Sequence, residues 1–296
     1  MITLPDRRRF LTAAGGLLGG ACLGGPLTGR DRAGGALAGG TFAGRIRIAV
    51  KYQMIKEPEL GVREKFELLR GIGFDGVELT MNDPVDRDEI EKAIETTGLP
   101  VHGIVNAADP DIEPAVVLAR RLGADSVLVL AKEDPAESYE ENFAHWQENV
   151  RRALPLAEKH GVRLCIENVR ATFLKTAEGM ARFIDSFDSE AVRSYFDLGN
   201  TITWTEQSAQ HWADVLGERI YKLDIKDRGH PEFGDPKLAR EGAVGTNGGE
   251  VHWEKVRAEL DEVGFRGWAT AEVAGGDRKR LAGIAGWMRD VMDVGG

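Results

Sequence analysis

A single-domain (β/α)8 TIM barrel, an alternating α/β fold, is the class that the sequence predicts, on three observations. From Ile46 onward a short apolar run, a turn and an amphipathic stretch recur about eight times. Eight such units in roughly 250 residues is the length of one eight-stranded barrel. Glycines stand where helical periodicity stops ahead of the next apolar run, at Gly73, Gly98, Gly123, Gly161 and Gly264. The competing layout is a doubly wound open sheet, but no G-x-G-x-x-G follows the first apolar run, so a dinucleotide site has no support.

In chain order, a strand over 46–51 leads to a helix over 62–72 that stops at Gly73. Strands over 76–80 and 100–105 precede helices over 86–97 and 112–122, which stop at Gly98 and Gly123. The run 126–130 precedes the longest amphipathic stretch, 138–160, closed by Gly161. Runs over 162–167 and 194–197 precede helices over 176–187 and 207–217. The seventh run, 220–224, is separated from its helix over 251–263 by an aperiodic connection, 228–250, rich in glycine and proline. A loop of that length in a compact domain is usually a lid or a binding loop, and it falls on the face where strands end. The last run, 268–273, leads to a helix over 277–292.

The 296 residues are 42% hydrophobic and 29% charged, which is globular, and one large domain absorbs the length. The formal net charge is −10 with the acids spread along the chain, which argues against nucleic acid and for a neutral or weakly anionic small substrate. Residues 1–38 stand outside the fold, the barrel domain being 39–296. Arg7-Arg8-Arg9-Phe10-Leu11, a Gly- and Ala-rich stretch from Thr12 to Gly25, and Ala36-Leu37-Ala38 have the order of a twin-arginine signal peptide with its cleavage site. The apolar stretch is too short and glycine-rich to span a membrane, so an exported, periplasmic mature chain without a membrane span is expected. Removing five Arg and two Asp with it leaves a net charge of −13. Gly19-Gly20-Ala21 ahead of Cys22 lacks the large aliphatic residue of a lipoprotein anchor. Cys165 then remains as one buried thiol.

Four apolar runs end in acids, at Glu167, Asp197, Asp224 and Glu272. In a parallel barrel these ends converge on one mouth, and four converging carboxylates repel unless a cation sits among them. The pattern therefore reads as a divalent-metal site.

Phe74-Asp75-Gly76-Val77-Glu78-Leu79, Ile166-Glu167-Asn168, Phe196-Asp197-Leu198-Gly199-Asn200, Asp224-Ile225-Lys226-Asp227, Gly249-Glu250-Val251-His252-Trp253 and Gly267-Trp268-Ala269-Thr270-Ala271-Glu272 stand in this order. Together they resemble the xylose-isomerase-like TIM-barrel superfamily, in its sugar phosphate isomerase/epimerase branch. The resemblance implies one divalent ion held by Glu167, Asp197, Asp224 and Glu272. Where the family usually reads His-x-Lys-Asp, this chain has Asp224. An all-oxygen set shifts preference toward hard ions, so manganese or magnesium is expected. The competing reading of Asp224 is a strand-end acid paired with Lys226 or Arg228.

In the family's epimerases, acids at the positions of Glu167 and Glu272 also remove and return a proton from the carbon between a carbonyl and a hydroxyl, through a metal-stabilised enediolate. The resemblance thus implies a metal-dependent isomerase or epimerase acting on a carbohydrate. His102 and Asn200 are candidates for contacting substrate hydroxyls, and Asn168, Lys226 and Arg228 for orienting an oxygen or a ligand. His102 also suits a satisfied core histidine and Glu78 a structural acid. Trp204 and Trp212 suit packing or a sugar platform, and His230 and His252 solvated loops. A lyase or hydratase on oxidised sugars or glycosides uses the same proton abstraction, and a sugar-binding barrel without turnover stands beside both. Endonuclease IV-like barrels share Ile166-Glu167-Asn168 but need a histidine-rich zinc cluster and a basic surface, which this chain lacks. Relatives are commonly dimers, and the resemblance leaves a homodimer open.

Overall fold

The computed structural model describes residues 42–205, 207–234 and 248–295. The twin-arginine segment 1–38 and the 235–247 part of the long loop lie outside the described residues. The strands are β1 (Ile46–Lys51), β2 (Gly76–Thr80), β3 (Val101–Ala107), β4 (Ser126–Val129), β5 (Arg163–Glu167), β6 (Val192–Asp197), β7 (Ile220–Ile225) and β8 (Gly267–Ala271). The helices among the described residues are α1 (Val62–Ile72), α2 (Arg87–Thr97), α3 (Glu113–Leu122), α4 (Tyr139–His160), α5 (Ala177–Asp185), α6 (Leu198–Trp204), α7 (Ala209–Leu216), α8 (Trp253–Glu262) and α9 (Arg278–Met292). All strands are parallel and the sheet closes in sequence order, with Ile46 beside Gly267 and Val50 beside Ala271.

Local chemistry accounts for the boundaries. Ser138 caps α4 by accepting from the Glu141 amide while Glu141 returns to Ser138, and Thr176, Ser208 and Asp277 cap α5, α7 and α9. Helix ends require a left-handed residue at Gly98 and Gly123, with φ of 69° and 74°, which glycine adopts at no steric cost. No helix among the described residues is long and apolar enough to cross a membrane.

The core has two layers of different chemistry. Between strands and helices lies an apolar shell that includes Phe66, Ile90, Phe143, Phe183, Trp212 and Trp253. Inside the barrel the filling is largely polar, with Glu78, His102, Ser126, Ser194, Lys222 and Thr270 all buried. The outward faces of the strands, packed under the helices, carry the apolar residues that make each one read as an apolar run.

The helix α6, directly after β6, is the element that the sequence reading did not include. Its β-branched Thr-Ile-Thr run carries weak helical propensity, and its start depends on the Asp197 side chain accepting from the Asn200 amide at 2.8 Å. Glu272 lies one residue past β8 rather than inside it.

Candidate metal centre

Glu167 and Asp197 end β5 and β6, and Asp224 is next to last in β7. Register makes Asp197 and Asp224 direct neighbours across β6 and β7. One carboxylate oxygen from each of Glu167, Asp197, Asp224 and Glu272 lies within 4.8 Å of the others. The side chains of Asp197 and Asp224 are fully buried, whereas that of Glu272 is 32% exposed and borders the open mouth.

Two ammonium groups enter this ring. Lys51, ending β1, places Nζ 3.1 Å from Asp224 Oδ2 and 2.7 Å from Glu272 Oε1. Lys226 places Nζ 2.7 Å from Asp197 Oδ2 and 2.6 Å from Glu272 Oε2. The pairing foreseen for Asp224, with Lys226 or Arg228, is therefore made with Lys51 instead. Four ionised carboxylates less two ammoniums leave two negative charges, the complement of one divalent cation.

The residues fit such an ion on two further counts. Asp224 Oδ1 is buried without a hydrogen-bond partner, an arrangement that native structures rarely leave unexplained. Oxygens on opposite sides of a hard cation stand about 4–5 Å apart, the span observed here. All four donors are oxygens, so the set could hold a divalent cation of the hard class.

In the protein alone, burial pushes the Glu167 carboxyl up to about 8, with Glu272 adding to the rise and Lys51 opposing it. Burial likewise raises Asp197 to about 7 against the pull of Lys226, and holds Asp224 well above the carboxylate range against Lys51. Glu272 goes the other way. Burial would raise it, but the Lys51 and Lys226 ammoniums outweigh burial and hold it well below the usual range. The ring thus separates a pocket-facing acid that favours its ionised form from three buried ones that favour a proton or a cation.

Around the ring, Asn168 bonds the Asp197 backbone in both directions, donating from Nδ2 to its carbonyl and accepting its amide on Oδ1, each at 2.8 Å. Asn200 donates to Glu167 Oε1 at 3.4 Å and accepts from Trp204 Nε1 at 3.1 Å. Arg228 donates to the Ile202 carbonyl at 2.9 Å. Asn200, Lys226 and Arg228 line a pocket of about 450 Å³ with Glu272 and Trp204. Trp204 is the rim aromatic, 38% exposed with the Arg170 guanidinium 4.9 Å from its ring centre, and Trp212 belongs to the core.

His102 lies elsewhere. It is buried in the barrel interior, stacked 4.5 Å from Trp268, with Lys222 Nζ 2.8 Å from Nδ1 and Thr270 Oγ1 3.2 Å from Nε2. Burial and the Lys222 ammonium keep it neutral, well below the usual imidazole range. It is a satisfied core histidine, one of the two readings the sequence allowed. Glu78 shares that interior, accepting from Tyr195 Oη at 2.9 Å. His230, expected in solvent, packs 4.8 Å from Phe233 and accepts the Glu232 and Phe233 amides, because the loop folds back on α9.

Behind the pocket, Asp227 accepts the Glu250 and Val251 amides and Trp253 Nε1, pinning the start of α8 to the end of β7. A Cβ at Gly249 would overlap that carboxylate, so glycine is required there by close approach.

Sequence reasoning passed over Lys51. Its signal was present, since Ile46–Lys51 is an apolar strand ending in a charge like the other four, with opposite sign.

The family model described as xylose isomerase-like TIM barrel matches residues 66–291. No curated protein sequence matches the chain. Among solved structures, an apo 3-keto-D-glucoside 4-epimerase from E. coli is 17% identical with a TM-score of 0.66, covering 83% of this chain and 100% of that one. A D-allulose 3-epimerase from Methylomonas sp. is 16% identical with a TM-score of 0.67, covering 83% and 98%. An IolI protein with a bound zinc atom is 15% identical with a TM-score of 0.67, covering 83% and 98%. At such identity these likenesses establish the fold.

Proposed function

Because the chain belongs to the xylose isomerase-like TIM barrel family, we propose that it is a divalent-metal-dependent isomerase or epimerase of a sugar or keto sugar, exported by the twin-arginine route. The observation that carries the reading is the ring of four carboxylate oxygens within 4.8 Å at the C-terminal mouth, beside a pocket of about 450 Å³. The sugar epimerases among the similar structures support the substrate class.

Glu167, Asp197, Asp224 and Glu272 would hold the ion, with manganese or magnesium favoured by an all-oxygen set. When bound, it supplies a Lewis-acid charge that acidifies a carbon-bound proton next to a carbonyl. Glu272 reaches the pocket as a carboxylate and takes that proton from one face, and Glu167, which burial leaves protonated, returns its own proton to the carbon from the opposite face. Lys226, tied to Glu272 and lining the pocket, orients a substrate oxygen, and Asn200 and Arg228 contribute donors on the same wall. Trp204 covers the sugar ring at the rim. The Lys226 ammonium, 2.6 Å from Glu272 Oε2, holds that carboxylate in place at the pocket wall.

The test is exchange of a carbon-bound proton. A panel of keto sugars in deuterium oxide with Mn²⁺ should show wash-in by NMR for at least one member, together with an isomerised product. Eliminated product instead would assign a lyase, and no exchange across the panel would leave a binding barrel.

A further inference from the structure

The two oxygens of Asp224 have different surroundings. Oδ2 accepts from Lys51 Nζ at 3.1 Å, while Oδ1 is buried with no hydrogen-bond partner. Asp224 is completely buried and the Lys51 side chain is only 6% exposed, so neither group reaches water to relax its charge. Lys51 comes from β1, on the far side of β8 from Asp224, and also holds Glu272 Oε1 at 2.7 Å. Its register partner on β2 is Glu78, a further buried acid beneath the ring. This ammonium is therefore faced by Glu78 from β2, Asp224 from β7 and Glu272 just past β8, and its charge is felt by anything the ring holds.

We infer that Asp224 and Lys51 work as one charge-neutral ligand unit, in which Lys51 occupies Oδ2 so that Oδ1 alone is offered to a divalent cation. Lys51 is accordingly a positioning residue. It fixes the Asp224 carboxylate in one orientation and removes one unit of negative charge from the ring. Its repulsion keeps the ion exchangeable rather than locked in. Lys226 differs, because it is 25% exposed, lines the pocket and leaves Asp224 alone. The inference rests on the metal reading above.

The experiment is titration of the purified protein with Mn²⁺, free ion being read by electron paramagnetic resonance, with circular dichroism confirming the fold of each variant. Lys51→Met should tighten Mn²⁺ binding about ten-fold or more, since a buried positive charge next to the ion is gone. Lys51→Arg keeps the charge and should stay within about three-fold of wild type, whereas Asp224→Asn should weaken binding about ten-fold. Combining Asp224→Asn with Lys51→Met should recover most of that loss. Lys51→Gln carries the test if Lys51→Met does not fold. Unchanged or weaker binding on neutralising Lys51 overturns the inference, and absence of Mn²⁺ binding in wild type and variants alike overturns the metal reading beneath it.

Discussion

Lys226 Nζ stands 2.6 Å from Glu272 Oε2, so the acid that faces the pocket is tied to the end of the neighbouring strand. That contact, with Lys51 on the other oxygen, keeps Glu272 ionised while the three acids behind it favour protons. One consequence concerns catalysis. Glu272→Gln and Glu167→Gln should each lower proton wash-in by roughly 10²–10⁴-fold without loss of fold, the usual worth of a positioned acid or base. NMR exchange rates beside circular dichroism spectra check this, and retention of full exchange in both variants would remove the two acids from the chemistry.

Stability should depend on pH in a direction set by Glu167 and Asp197. Their folded-state values of about 8 and about 7 lie above those of an unfolded chain, so the native state holds extra protons at intermediate pH. The stability they contribute is present at low pH and lost as pH rises toward 8. Buried neutral His102 acts with the opposite sign only below its ordinary value near 6.5. With chelator present, the thermal midpoint should therefore fall between about pH 6.5 and 8. Added Mn²⁺ should restore it more at pH 8 than at pH 6.5, because the ion replaces those protons. Scanning fluorimetry gives both readings.

The polar barrel interior has its own test. Tyr195 Oη donates to Glu78 Oε1 at 2.9 Å and lies 2.8 Å from Thr270 Oγ1, while Glu78 Oε2 already lacks a partner. Tyr195→Phe strands a fully buried carboxyl further and should cost about 1–3 kcal/mol in urea unfolding. A cost near zero would mean that Glu78 is protonated and self-sufficient in the core.

At the pocket rim, Trp204→Ala removes the exposed ring and the Nε1 donor to Asn200 without touching the acids. The expected outcome is KM raised about ten-fold with kcat changed less, the pattern of lost binding common to ground and transition states. A fall in kcat alone would instead assign the residue to holding Asn200 against Glu167.

Gly249→Ala should loosen the anchor of α8, because its Cβ overlaps the Asp227 carboxylate that holds the Glu250 and Val251 amides. Faster proteolytic cleavage between residues 228 and 253, with the remainder of the barrel intact, is the expected signature.

What the sequence determined by itself was the barrel and the identity of the acids at its mouth. Eight apolar runs of strand length, several preceded by a helix-stopping glycine, leave little other way to bury their surface, and a charge at the end of such a run has to lie at the barrel's mouth. The ends of β5, β6 and β7 and the residue just after β8 were legible for that reason. Tertiary structure alone decided which charges meet. Closure of the sheet brings β1 beside β8, so Lys51 reaches Asp224 across 173 positions of sequence, a contact that no local spacing encodes. It also decided that His102 points inward to Lys222, since a one-residue change of register along a strand exchanges its inner and outer faces. The helix α6 formed where propensity was weak, because the Asp197 cap and burial of Leu198 and Thr201 outweighed it.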